Sequence, residues 1–131
     1  MSELHVPIAG LYAALQALLA TALVVPVGRL RGKYDVALHA GGHPDLDVAI
    51  RRHANWAEHV PIALLLIALL ELNGGSAGLL HGLGLTLLAA RIAHPFGLKP
   101  DVMRVPLRGI GAFATMLVTL VAAVALLLKF F

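Results

Sequence analysis

Four long apolar stretches, each near the length needed to cross a bilayer, dominate the chain. The first covers residues 6–27, without a charge and with only Gln16 and Thr21 as clearly polar members. About 20 apolar residues span a hydrocarbon core, so this run predicts a full transmembrane helix. A cleaved signal peptide is the weaker reading, because residues 1–5 carry no lysine or arginine and the run exceeds an ordinary signal core. The polar stretch 29–44 then predicts a loop around the Gly41-Gly42 pair, after which Asp45 or Asp47 stands where a side chain caps a second helix. That helix runs to about Leu72, with Arg51, Arg52, His53, Asn55, Glu58 and His59 in its first half and a purely apolar second half. Asn73-Gly74-Gly75-Ser76 predicts a short turn. The third helix is apolar except for His81 until Arg91 and His94, and Pro95 predicts an irregular end. A basic loop at 97–106 leads to Arg108 and to the last uncharged run, 110–128. The expected spans are 5–28, 47–72, 77–96 and 105–129, in a single domain covering residues 1–131.

Composition sharpens this pattern. Hydrophobic residues make up 60% of the chain and charged ones 13%, with a mean hydropathy of +0.88. A soluble domain has about 45–50% and about 25% respectively, so a water-soluble domain is excluded. The absence of cysteine excludes disulfides, a thiolate nucleophile and a thiolate metal site.

The positive charges orient the spans. Arg29, Arg31, Lys33, Arg51 and Arg52 flank the first connection, and Arg91, Lys99, Arg104 and Arg108 flank the third. Only Lys129 lies toward the other side. Lysine and arginine mark cytoplasmic loops, so residues 29–46 and 97–104 are expected inside and both termini outside. The fold expected is an all-α, up-down bundle of four transmembrane helices in a membrane.

This topology brings the polar stretches of three helices to one depth. Arg51, Asn55 and Glu58 share a face at i, i+4, i+7, Arg91 and His94 lie at i, i+3, and Arg104 and Arg108 at i, i+4. An ionised carboxylate inside a membrane costs several kcal/mol, so Glu58 is expected to face protein or water and to pair with a cation. The arginines outnumber this acid, and the surplus calls for an anion: phospholipid headgroups reached by snorkelling, or a bound anionic ligand.

The second helix reads Arg51-Arg52-His53-Ala54-Asn55-Trp56-Ala57-Glu58-His59-Val60-Pro61. It resembles the Arg-x-His-x-Asn-x-x-Glu-x-x-Pro signature of the MAPEG family, the membrane-associated proteins in eicosanoid and glutathione metabolism. Ala90-Arg91-Ile92-Ala93-His94 is similar to the family's Gly-Arg-x-x-His element, Val105-Pro106-Leu107-Arg108 to the start of its fourth helix, and Val27-Gly28-Arg29-Leu30-Arg31 to the end of its first. The likeness runs through the whole chain in order.

The resemblance implies a homotrimer that binds glutathione between subunits in the cytoplasmic leaflet. Carried over, Arg51, Asn55 and Glu58 would hold the tripeptide, Arg91, His94 and Arg104 would belong to the same pocket, and Arg29 would enter from the adjoining subunit. Arg108 would stand beside the sulfur as the catalytic residue. A free thiol has a pKa of about 8.5, and a nearby guanidinium favours the thiolate. The expected activity is a glutathione transferase or peroxidase acting on lipophilic electrophiles or lipid hydroperoxides. Glutathione is the cosubstrate, membrane lipids and a lipophilic small molecule are the partners, and neither metal, haem nor nucleic acid is expected. Ala54, Leu98, Gly109 and Ala112 depart from the family pattern by losing an arginine and hydroxyl donors, so an eicosanoid synthase is not expected. These losses keep a non-catalytic, lipid-binding or scaffold role as the alternative.

Each residue also has a plainer reading. Glu58 can hold the bundle by an ion pair, Asn55 can bridge helices, and His94 can be structural. His59 and His81 invite haem ligation, but one lies mid-helix and the other near the opposite face. Arg31, Lys33 and Lys99 read as topology signals and lipid contacts, Trp56 as an interfacial anchor, and Gly82-x-Gly84 and Gly109-x-Gly111 as points of close helix packing. A small multidrug exporter has this length, but it needs an acidic residue in the first span, and 6–27 has none.

Overall fold

The computed structural model describes residues 5–102 and 105–131, and every helix in it is long and apolar enough to cross a membrane. The helices are α1 (Pro7–Tyr34), α2 (Pro44–Leu72), α3 (Ala77–Phe96) and α4 (Pro106–Leu127), with no strand among the described residues. Their alternation gives the expected up-down bundle. At about 1.5 Å per residue, the 28 residues of α1 and 29 of α2 are roughly 42–44 Å long, well beyond a hydrocarbon core of about 30 Å. Both therefore project by about two turns at the basic end.

Helix ends depart from the sequence expectation in two places. α1 does not stop near Gly28 but continues to Tyr34, because Arg29, Leu30, Arg31 and Lys33 are good helix formers. It closes on Asp35 in the left-handed region at φ 54°. α2 is not capped by Asp45 or Asp47: His43 is the N-cap and Pro44 takes the first turn, where a missing N–H costs nothing. Asp45 instead accepts a hydrogen bond from the Tyr34 hydroxyl at 2.7 Å, joining the end of α1 to the start of α2. α3 carries Pro95 within its last turn.

α1 packs on α2 and α3, and α4 packs on α3 and α2, whereas α1 and α4 do not meet. The cross-section is a rhombus whose short diagonal joins α2 and α3. Along that diagonal lies the apolar core, built on Val60, Ala63 and Ile67 from α2, and Leu80, Leu83 and Leu87 from α3. Gly84 accepts the Tyr12 ring in a space that a Cβ would occupy, and Gly111 lies against Ala90 and His94. Gly82 and Gly109 have no neighbour within 4 Å, so only one glycine of each pair serves close packing.

Two polar contacts inside the bundle lock helices together. Trp56 is not an interfacial anchor: its Nε1 donates to Oε1 of the wholly buried Gln16 at 2.8 Å, tying α2 to α1. Val6 provides no side-chain cap for α1, and Glu71 serves in its place. The carboxylate accepts the N–H of Ile8 at 3.0 Å and of Ala9 at 2.7 Å, satisfying two donors that a helix start leaves open.

Candidate functional site

The polar cluster forms on the α2–α4 face, at the basic half of the bundle. Asn55 and Arg91 meet there. Arg91 is 2% exposed, and its Nη1 donates to Asn55 Oδ1 at 2.8 Å while its Nη2 donates to the Gly111 carbonyl at 2.9 Å. One guanidinium thus braces α2, α3 and α4. The bond to Gly111 depends on the absent side chain there, since a Cβ at 111 would lie 2.8 Å from both Ala90 O and His94 Cβ. The Arg91 Nε is buried without a partner among the described residues.

Glu58 pairs with Arg51 one face-repeat earlier on α2, Nη1 to Oε1 at 3.1 Å and Nη2 to Oε2 at 3.4 Å. These side chains are 51% and 50% exposed, so the pair lies on the surface of the single chain. His94 is buried and within electrostatic range of Arg91, Arg108 and His59. Arg108 is set by the first turn of α4, which crosses the end of α3 so closely that a Cβ on Gly97 would strike the Arg108 backbone. The structure therefore gathers Asn55, Arg91, His94 and Arg108 around one crossing, with Arg51 and Glu58 beside it. Arg29 is exposed on α1, which does not touch α4, and no hydrogen bond or ion pair joins it to this cluster among the described residues. Arg104 lies outside the described residues.

Above Arg91 opens a cavity of about 550 Å³. Asn55, His59 and Arg91 form its polar end, and Met116, Leu120 and Ala123 of α4 line its apolar length. Such a volume suits a small amphiphile. His59 is a wall residue that the sequence analysis left without a role. His81 approaches the Tyr12 hydroxyl at 3.1 Å, away from the cavity. The signal was present in the spacing, because Asn55, His59 and Ile62 recur at i, i+4, i+7 and line one wall. Thr115 and Thr119 also line the cavity, but each hydroxyl donates to its own helix, to Gly111 O at 2.9 Å and to Thr115 O at 3.0 Å. Ala112 lies on the same wall.

Two basic residues hold loops together. Arg31 is not simply a lipid contact: its Nη1 lies within hydrogen-bond distance of the carbonyls of Val36, Ala37 and His39, at 3.2, 3.0 and 3.0 Å. Arg52 Nη2 donates to Leu98 O at 3.0 Å, joining the start of α2 to the loop after α3.

No solved structure matches the chain. It is similar to the inner membrane protein YecN of Escherichia coli strains K12 and CFT073, 38% identical over 116 residues, covering 88% of this chain and 88% of each relative. These relatives and the four apolar helices mark a multi-pass inner-membrane protein. The MAPEG family profile matches residues 9–128, which takes in all of the polar cluster, most of α1 and the whole of α4. A family signature on α2, a matching arginine–histidine pair on α3 and a full-length profile match all point one way: the chain belongs to the MAPEG family.

Proposed function

We propose that the protein is a glutathione-dependent membrane transferase or peroxidase that acts on lipophilic electrophiles or lipid hydroperoxides. The observation that carries this reading is the junction of a cationic, amide-bearing cluster with an apolar cavity that runs along α4. Glutathione has two carboxylates, one ammonium and a thiol. The cluster offers complementary groups: Arg51 and Arg108 for anions, Glu58 for the ammonium, and Asn55 for a peptide group. The exposed Arg51–Glu58 pair can exchange its internal contact for ligand contacts, and Arg91 has a buried donor still unpartnered. Bound glutathione supplies the nucleophilic sulfur, which attacks an electrophilic carbon or the distal oxygen of a hydroperoxide. Arg108 stabilises the sulfur as its anion. Arg91 orients Asn55 and adds fixed positive charge. His59 stands on the cavity wall, where it can give a proton to the alkoxide left by O–O cleavage. The α4 side of the cavity holds the apolar body of the second substrate. A homotrimer would cover the exposed Arg51–Glu58 pair and bring Arg29 in from a neighbouring subunit. The basic end then faces the cytoplasm, where glutathione is found.

A second reading is favoured by the hydroxyls. Thr115 and Thr119 donate to backbone carbonyls, and Ala112 stands where some family members carry tyrosine, so the cavity wall offers no free hydroxyl donor among its described residues. A lipid-binding member without turnover would have this lining.

Calorimetry of glutathione binding to the detergent-purified protein, beside an Arg51→Ala/Glu58→Gln variant, separates the two. Saturable binding that is lost in the variant supports the enzyme. No binding at millimolar glutathione rejects it in favour of the lipid-binding reading.

A further inference from the structure

A second groove lies on the opposite side of the rhombus, between α1 and α3. Ala22, Leu23 and Pro26 of α1 form one wall, Pro95 and Phe96 of α3 the other, and Ala49 and Arg52 of α2 the floor. The cavity measures about 220 Å³. It shares no residue with the cavity above Arg91, and the helices that bound the two grooves, α1 and α4, do not touch.

Its depth in the membrane can be read from three helices independently. Pro26 lies 19 residues after the start of α1, Phe96 lies 19 after the start of α3, and Arg52 lies 20 before the end of α2. At about 1.5 Å per residue these are all roughly 29–30 Å from the end opposite the basic loops. That equals the hydrocarbon thickness of about 30 Å, so all three reach the boundary between acyl chains and phosphates on the basic side.

The chemistry suits that boundary. Arg52 makes one hydrogen bond, to Leu98 O, its Nε is buried without a partner, and no carboxylate pairs with it among the described residues. Lys99 is exposed just beyond α3. Phe96 is 67% exposed, and Leu18 and Ile92 continue the apolar walls one turn deeper, at i−4 from Ala22 and Phe96. Pro26 has no N–H to give Ala22 O, which loosens α1 where the groove opens. A cation at phosphate depth therefore sits on the floor of an apolar channel that leads into the bilayer.

We infer that this groove binds an anionic phospholipid of the leaflet on the basic side. The headgroup phosphate rests by the Arg52 guanidinium, with Lys99 nearby, and one acyl chain follows Ala22 and Leu18 on α1 beside Phe96 and Ile92 on α3. The inference stands apart from the glutathione reading, because no residue is shared with that site.

The test uses the full chain in a mild non-ionic detergent, titrated with phosphatidylglycerol, with phosphatidylcholine of the same acyl chains, or with inorganic phosphate. Native mass spectrometry counts lipid adducts and a thermal midpoint reads stabilisation. One phosphatidylglycerol per chain is expected to persist and raise the midpoint, with phosphatidylcholine and inorganic phosphate both weaker. Arg52→Gln should weaken phosphatidylglycerol about fivefold, the worth of one basic residue near a lipid surface. Ala22→Phe fills the channel, leaves the Arg52–Leu98 bond intact and should also weaken the lipid, so the test survives if Arg52→Gln fails to fold. Equal binding of the two lipids, or full retention in Ala22→Phe, overturns the inference. Stabilisation by inorganic phosphate equal to that by lipid reassigns the site to a free anion. A change of oligomeric state in Ala22→Phe without loss of lipid makes the groove a subunit contact, which also overturns it.

Discussion

The Asn55–Arg91 bond allows opposing effects to be separated by sign. Removing Asn55 leaves a guanidinium that is 2% exposed with one acceptor, Gly111 O, in place of two. A hydrogen bond to a charged group contributes about 1.5–3 kcal/mol, and an under-partnered buried charge adds to the loss, so Asn55→Ala should cost about 2–3 kcal/mol. Arg91→Met deletes both bonds but also removes the charge that is costly to bury. Gly111 O keeps its donor from Thr115 Oγ1 at 2.9 Å, and Asn55 borders the cavity, where its amide can be solvated. The variant with more broken bonds should therefore be the milder one, at about 0–1.5 kcal/mol. The double variant should resemble Arg91→Met, giving a coupling of more than about 1 kcal/mol. Reversible unfolding in mixed micelles, followed by the fluorescence of the single tryptophan, Trp56, measures all three. Arg91→Met costing more than Asn55→Ala, or effects additive within about 0.5 kcal/mol, would refute the reasoning. Either result means that the Arg91 charge is stabilised mainly by something other than Asn55.

Other expectations follow from single contacts. Glu71→Ala should cost about 1–2 kcal/mol by uncapping α1, and hydrogen exchange should quicken at Ile8 and Ala9 while α4 is unchanged. Gly84→Ala drives a Cβ into the Tyr12 ring and should cost about 1–3 kcal/mol, with most of the loss recovered when Tyr12 is trimmed to leucine; thermal midpoints of the two variants decide. If the glutathione reading holds, Arg108→Ala should leave the midpoint within a few degrees and abolish the ultraviolet signal of bound thiolate. An unchanged thiolate signal in that variant would remove Arg108 from its proposed role.

The spans were legible because hydrophobicity reports directly on the bilayer, but it reports on lipid rather than on helix. That is why α1 runs past its apolar stretch: residues 29–34 leave the membrane without leaving the helix. Local spacing made the Arg51–Asn55–Glu58 face readable, and the same arithmetic would have placed His59 on the cavity wall beside Asn55. What resisted was any role that depends on a distant partner. Nothing around Glu71 indicates that it caps a helix starting 64 residues earlier, and a lone glutamine in an apolar run does not announce a tryptophan on another helix. Arg31 was ambiguous for a different reason. A basic residue beside a span gives the same topological signal whether its guanidinium meets a phosphate or, as here, carbonyls of its own loop.

The rhombic cross-section connects these observations. Because α2 and α3 lie on the short diagonal, their polar residues are reached from either open side: Asn55, His59 and Arg91 from the α4 side, Ala49 and Arg52 from the α1 side. Arg51 and Arg52 are adjacent in sequence, about 100° apart around α2, and so serve different faces. One pairs with Glu58 beside the larger cavity, the other holds the loop after α3 at the floor of the smaller groove. The basic end of α2 thereby presents one cation to a candidate hydrophilic ligand and another to the lipid boundary. A change confined to one face should leave the other intact, because the apolar core along the diagonal separates them.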